Sequence, residues 1–268
     1  MRIKKFLLLA SLIISVACNN NKPINPNNIV DEDAKAQSTF NEDEFIPPTP
    51  TNNINTFNSS FSDITSYYWV GMFGDVNKIS VKIQEMNDDK TVKGFSVAAG
   101  QIRTFSGTFT TQDNKAFSFE VKELGDDKYD GSFQFTIANK TLKGTWKPFD
   151  ASKTTAKKYT LLPRIFKYDA NVGDYEYTDI NASKKLLKDK DVNNFTKEEL
   201  RYLRSEIYAR HGYAFKMKDI RRKFDYVKWY MPVSIDVRRD LTTLEKKNIE
   251  LINRYEKYAK EYYDDYGR

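Results

Sequence analysis

The sequence predicts an α+β chain with two folded domains, an antiparallel β meander or barrel-like domain followed by a small three-helix α domain. Three observations carry this. Between Tyr67 and about Leu162, apolar residues alternate at period two, as in Ile79-x-Val81-x-Ile83, Phe117-x-Phe119-x-Val121 and Phe133-x-Phe135-x-Ile137. Beyond residue 181 the spacing becomes helical, with Leu200, Leu203 and Ile207 on one face. Ahead of both, residues 19–57 are rich in Asn, Pro, Ser and Thr and carry too little apolar surface to fold.

Residues 1–17 have the layout of a secretory signal peptide: Arg2, Lys4 and Lys5, an apolar run from Phe6 to Val16, then Ala17. The run is too short to span a bilayer as a mature helix. Cys18 is the only cysteine, so no disulfide can form within the chain. Its place after a small residue resembles the lipobox of bacterial lipoproteins, although Ser15 stands where that family usually has Leu. The resemblance implies cleavage before Cys18 and lipidation there, palmitate included, so that the membrane is a partner through this anchor. By the same analogy Asn19, which is not acidic, implies the outer membrane. Residues 18–57 then form a tether with a span of roughly 30 to 40 Å. Removal of the signal segment lowers the formal charge from +6 to about +3, which demands no polyanionic partner.

Residues 58–163 make the β domain. Turn signals at Asn87-Asp88-Asp89, Gln112-Asp113-Asn114, Gly125-Asp126-Asp127 and Ala138-Asn139-Lys140 divide it into about eight short strands. Ile79 to Lys90 repeats as Phe117 to Lys128 at an offset of 38, and the copies continue to Gly107-Thr108-Phe109 and Gly144-Thr145-Trp146. Glycines recurring within strands suit a sheet that curls toward closure. The domain somewhat resembles a lipocalin-type barrel, with Trp69-Val70-Gly71 in its first strand. Such a barrel is either filled by side chains or holds a small hydrophobic ligand, which makes a carrier the alternative function. The acidic turns lack the spaced oxygens of a calcium loop, and neither a metal nor a cofactor is expected.

Residues 164–180 are a tyrosine-rich connector, and residues 181–268 form the helical domain. Thr196-x-x-Glu199 is a capping box, and Phe195 with Leu200 fits a hydrophobic staple, so a helix starts at Thr196. Gly212 stops it. His211, the only histidine, therefore sits in the last turn, where it can bond unpaired carbonyls. Glu206 and Arg210 are spaced for an intrahelical ion pair. A second helix is expected over Lys218 to Tyr226, followed by Trp229-Tyr230. A third is expected from near Leu241 to Tyr263, with Thr242-x-x-Glu245 as its capping box.

These residues carry a resemblance. Phe195 to Tyr255 resembles the YARHG domain, a module of bacterial envelope proteins, through Tyr208-Ala209-Arg210-His211-Gly212, Phe215, Trp229-Tyr230 and Leu241-x-x-Leu244-Glu245-Lys246-Lys247-Asn248-Ile249. The resemblance implies an envelope location and supplies no reaction. If exposed, Tyr208, Arg210, His211, Trp229 and Tyr230 would suit sugar stacking and carboxylate pairing, which makes them candidates for binding peptidoglycan or another surface polymer. No catalytic residue is assigned: a base needs an orienting partner and a cleft, and no nucleophile elbow, phosphate loop or metal-ligand cluster accompanies His211. A non-enzymatic protein is expected. Nucleic acid is an unsuitable partner, because Arg221-Arg222-Lys223 is too short a basic run.

Overall fold

The computed structural model describes residues 60–74, 77–112, 116–173 and 178–263. The signal segment, Cys18 and the tether lie outside them. The β domain is a closed antiparallel barrel of strands in sequence order: β1 (Tyr68–Phe73), β2 (Asn77–Met86), β3 (Thr91–Ala98), β4 (Gln101–Gln112), β5 (Ala116–Glu123), β6 (Gly131–Ala138), β7 (Thr141–Pro148) and β8 (Lys157–Arg164). Closure comes from β1 pairing with β8, Tyr68 opposite Arg164 and Phe73 opposite Tyr159. It leaves no edge strand to template aggregation. The two repeats of the sequence are β2–β3–β4 and β5–β6–β7, with β1 and β8 sealing the seam between their outer strands.

The alternating apolar set points inward. Trp69, Phe73, Phe105, Phe109, Phe117, Phe119, Phe133, Phe135, Trp146 and Tyr159 are all buried in one cluster. Phe119 stacks on Phe135 at 4.7 Å, and Phe73 meets Trp146 edge-on at 5.6 Å. The barrel lumen is thus occupied by its own rings, which is the filled alternative and stands against a ligand carrier. Gly131 belongs to this packing, because a Cβ there would lie 2.6 Å from the Trp146 ring.

One mouth is plugged by α1 (Phe61–Ser66), a short helix that the sequence reading lacks. Its capping box at Ser60 and Asp63 starts it, Ile64 is fully buried, and Phe61 meets Phe109 and Phe117 edge-on. The other mouth is closed by polar groups. Glu123 accepts from Gly131 N at 2.6 Å and Trp146 Nε1 at 3.1 Å, while Arg103 Nε donates to Asp130 at 2.7 Å. Burial pushes the Glu123 carboxyl up to about 7, against the opposing effect of those hydrogen bonds and of Arg103.

The helical part contains α2 (Asp189–Val192), α3 (Lys197–Arg210), α4 (Lys218–Phe224) and α5 (Thr243–Tyr263). The three expected helices are present within two residues of their expected ends, and α2 is an added turn. Thr196 caps α3 as its spacing foretold, with Thr196 N donating to Glu199 at 2.8 Å and Glu199 N to Thr196 Oγ1 at 3.3 Å. The domain does not hang free. Ala214, Met231 and Val233 pack on the outward side chains Tyr68, Val70, Phe95 and Val97 of β1 and β3. Lys78 of β2 donates to the carbonyls of Val227 at 2.5 Å and Tyr230 at 3.1 Å, and Arg221 bonds Asn77 at 2.9 Å.

Candidate functional site

Around the histidine the sequence brings together residues that are distant along the chain. Gly212 takes φ +77, a left-handed turn in which a Cβ would strike Val233 and the Phe166 ring, so α3 ends there and the chain reverses. This leaves His211 at the helix C-terminus, facing inward between α5 and the connector. Its ring does not bond carbonyls as expected. Nε2 lies 2.8 Å from Glu245 Oε2, and the Tyr168 ring stacks on it at 4.3 Å with 18° between planes.

Glu245 is the hub. Its Oε2 also accepts from Thr242 N at 2.9 Å and Thr242 Oγ1 at 3.0 Å, and its Oε1 from Tyr168 Oη at 3.0 Å. The acidic residue of the α5 capping box is therefore also the partner of the histidine 34 positions earlier. Burial alone would raise this carboxyl, yet hydrogen bonds from His211, Ser183 and Thr242, joined by the attraction of His211, hold it at about 2. Tyr168 is pushed up to about 12 by burial and by the neighbouring Glu245 charge.

Arg210 continues the network. Its guanidinium sits 3.0 Å from Glu206 on the same helix, as the spacing predicted, and donates to Val172 O at 2.6 Å and Ser183 Oγ at 3.2 Å. One turn beyond Glu245, Asn248 accepts from Leu187 N at 2.9 Å and donates to Ala182 O and Lys185 O at 2.6 and 2.7 Å. Arg204 forks onto Glu256 of α5 at 3.1 and 3.4 Å. Every one of these groups ties α3 or α5 to the other or to residues 168–173 and 178–187, which have little regular structure and whose backbone polar groups need partners.

The candidate binding residues divide accordingly. Arg210 is 2% exposed, His211 5% and Tyr230 1%. These three side chains are internal in the fold, and their polar atoms meet protein partners there. Tyr230 donates its hydroxyl to Tyr213 O at 2.8 Å and presents its ring to Lys78 at 5.4 Å. Tyr208 and Trp229 are half-buried, Tyr208 tilted against Tyr213 and Trp229 edge-on to Tyr230. Cys18 lies outside the described residues, among which no group of three or more His, Cys, Asp or Glu side chains could hold a metal ion.

Sequence reasoning missed Tyr168, Ser183 and the second role of Glu245. Nothing local signals them, since each acts on a residue 27 or more positions away. Asn248 stood within the recognised motif, but its work on residues 182–187 was invisible there.

Residues 175–257 match the YARHG domain. The match begins 20 residues before the stretch noticed in the sequence, and the added part is the segment that Arg210 and Asn248 hold down. The chain therefore carries a YARHG domain joined to an eight-stranded barrel, and the domain points to an extracellular or envelope location. Searches of curated proteins and of solved structures return no match. No helix among the described residues is long and apolar enough to cross a membrane, which says nothing of membrane β-barrels.

Proposed function

We propose that this protein is a non-catalytic, lipid-anchored envelope protein, held at the outer membrane through Cys18, whose folded head recognises an envelope polymer such as peptidoglycan. The observation that carries the non-catalytic part is the saturation of the His211 site. A general base needs a lone pair open to substrate, whereas His211 is 5% exposed, stacked on one face by Tyr168 and paired with Glu245. The filled barrel removes the motive for small-ligand transport and leaves the outer surface as the functional part. The composition of residues 19–57, rich in Asn, Pro, Ser and Thr, fits a tether between anchor and head and so supports the anchored reading.

Two measurements test the proposal. Residues 19–268 should sediment with purified sacculi; failure to do so excludes peptidoglycan recognition. Cells producing the full chain should yield a detergent-phase protein carrying acyl mass at Cys18, lost in Cys18→Ala. An aqueous-phase protein with an unmodified cysteine would remove the anchor.

A further inference from the structure

The barrel has two unlike outer faces. The one formed by β1 to β3 is covered by the YARHG domain, while that of β5 to β8 is open and basic. Apart from Glu123 and Lys157 at the strand ends, inward side chains of these strands are apolar, and the intervening positions point out: Ser118, Glu120 and Lys122 on β5, Ser132, Gln134 and Thr136 on β6, Lys143, Thr145 and Lys147 on β7, Lys158 and Thr160 on β8. Pairing sets them in rows. Lys122 lies opposite Ser132 and Ser132 opposite Lys147; Gln134 lies opposite Thr145 and Thr145 opposite Lys158; Lys143 lies opposite Thr160.

At about 4.8 Å between strands, Lys122 and Lys147 stand roughly 10 Å apart, with Lys143 on the order of 13 Å further along β7. All four lysines are exposed, none forms an ion pair with another described residue, and Glu120 is the one acid among these outward positions. Asp126, Asp127 and Asp150 lie in the edge loops at the mouth closed by Glu123 and Arg103; Asp127 pairs with Arg103 at 3.7 Å and Asp150 accepts from Ser152 N. At that edge Tyr129 and Phe149 are 44% and 55% exposed, with Lys128 against the Tyr129 ring.

We propose that this face of β5 to β8 is the contact surface for the polymer, and that its ligand is an extended glycan bearing carboxylates. The inference rests on the reading given under Proposed function and assigns its surface to the barrel, away from the YARHG domain. Ammonium groups at 10 to 13 Å spacing supply attraction to repeated carboxylates, the interleaved Ser, Thr and Gln side chains supply donors and acceptors for hydroxyls, and the edge aromatics supply stacking planes. A bilayer is the poorer fit, because interfacial docking buries a broad apolar face, whereas here Leu162 is the one large apolar residue exposed on the strands and Leu124, Tyr129 and Phe149 are confined to the edge loops.

The experiment is sacculus sedimentation with residues 19–268 in three forms: wild type; Lys122→Glu with Lys143→Glu, Lys147→Glu and Lys158→Glu; and a control with Lys184→Glu, Lys190→Glu, Lys246→Glu and Lys247→Glu on the helical domain. Unchanged circular dichroism establishes folding, and a Lys→Gln version of the barrel set stands in if the reversal disturbs it. The barrel variant should bind at least about tenfold more weakly, the control should match wild type, and wild-type binding should fall in high salt. Equal binding by the barrel variant and wild type, or loss in the control alone, overturns the inference and leaves polymer recognition standing. No binding by wild type overturns both. Binding to phosphatidylcholine–phosphatidylglycerol vesicles with none to sacculi assigns the face to a membrane and overturns it as well.

Discussion

A carboxylate with every lone pair engaged behaves differently from one on a surface, and Glu245 is the residue on which this protein's helical domain turns. Its carboxyl, held at about 2 in the fold against an ordinary value near 4.3, contributes stability that is complete above the unfolded value and lost as pH falls toward 2. The size is roughly 2 to 3 kcal/mol. Glu245→Gln should therefore lower the unfolding free energy at neutral pH by about that amount and flatten the acid limb of a urea-denaturation pH series. An acid limb identical to wild type would show that another group drives it. Glu123 has the opposite sign. Its folded value of about 7 exceeds the unfolded one, so the fold binds the extra proton between about 4.5 and 7 and stability declines as pH rises through that window. Glu123→Gln keeps an acceptor for Gly131 N and Trp146 Nε1, and should raise the melting temperature at pH 7.5 while leaving it nearly unchanged at pH 4.5.

At the scale of elements, the YARHG string works as a joint. Gly212 reverses the chain, His211 and Arg210 reach two different partners, and Asn248 fastens residues 182–187 to α5. Asn248→Ala strips three hydrogen bonds from backbone groups, two of them buried, and should cost about 2 to 4 kcal/mol, with hydrogen exchange in residues 182–187 accelerating before that in α3. Thr196→Ala, which removes an exposed cap, should cost only about 1 kcal/mol. Periodicity and capping residues made α3, α4 and α5 legible from the sequence, because those signals act within four residues. α1 and α2 were not legible, since six and four residues complete too few turns for a periodic face. The strands were legible for the complementary reason, that alternation at period two completes three or more repeats even in the six residues of β1.

For the whole molecule, the seam between barrel and helical domain is what joins two modules into one head. It buries Lys78, whose value burial lowers to about 8 and which stays charged at neutral pH, alongside Asp225, raised to about 6 by its own burial. Such charges are tolerated where carbonyls and opposite charges receive them, as Val227, Tyr230 and Arg221 do here. The two parts should unfold in a single calorimetric transition, and Val70→Asp, which places an unpaired charge in the apolar seam, should split it in two. Two transitions in the wild type would mean that the seam does not couple them.

The sequence by itself determined the strand and helix periods, the repeat that doubles β2–β3–β4 into β5–β6–β7, the helix stops and the YARHG signature, all of which rest on interactions a few residues long. Only the tertiary structure decided that the barrel closes and is filled, that Arg210 and His211 point inward, and that one barrel face is covered while another stays open. Those outcomes depend on pairings such as His211 with Glu245 and Lys78 with Tyr230, and side chains separated by 34 and 152 positions leave no periodic trace of their meeting.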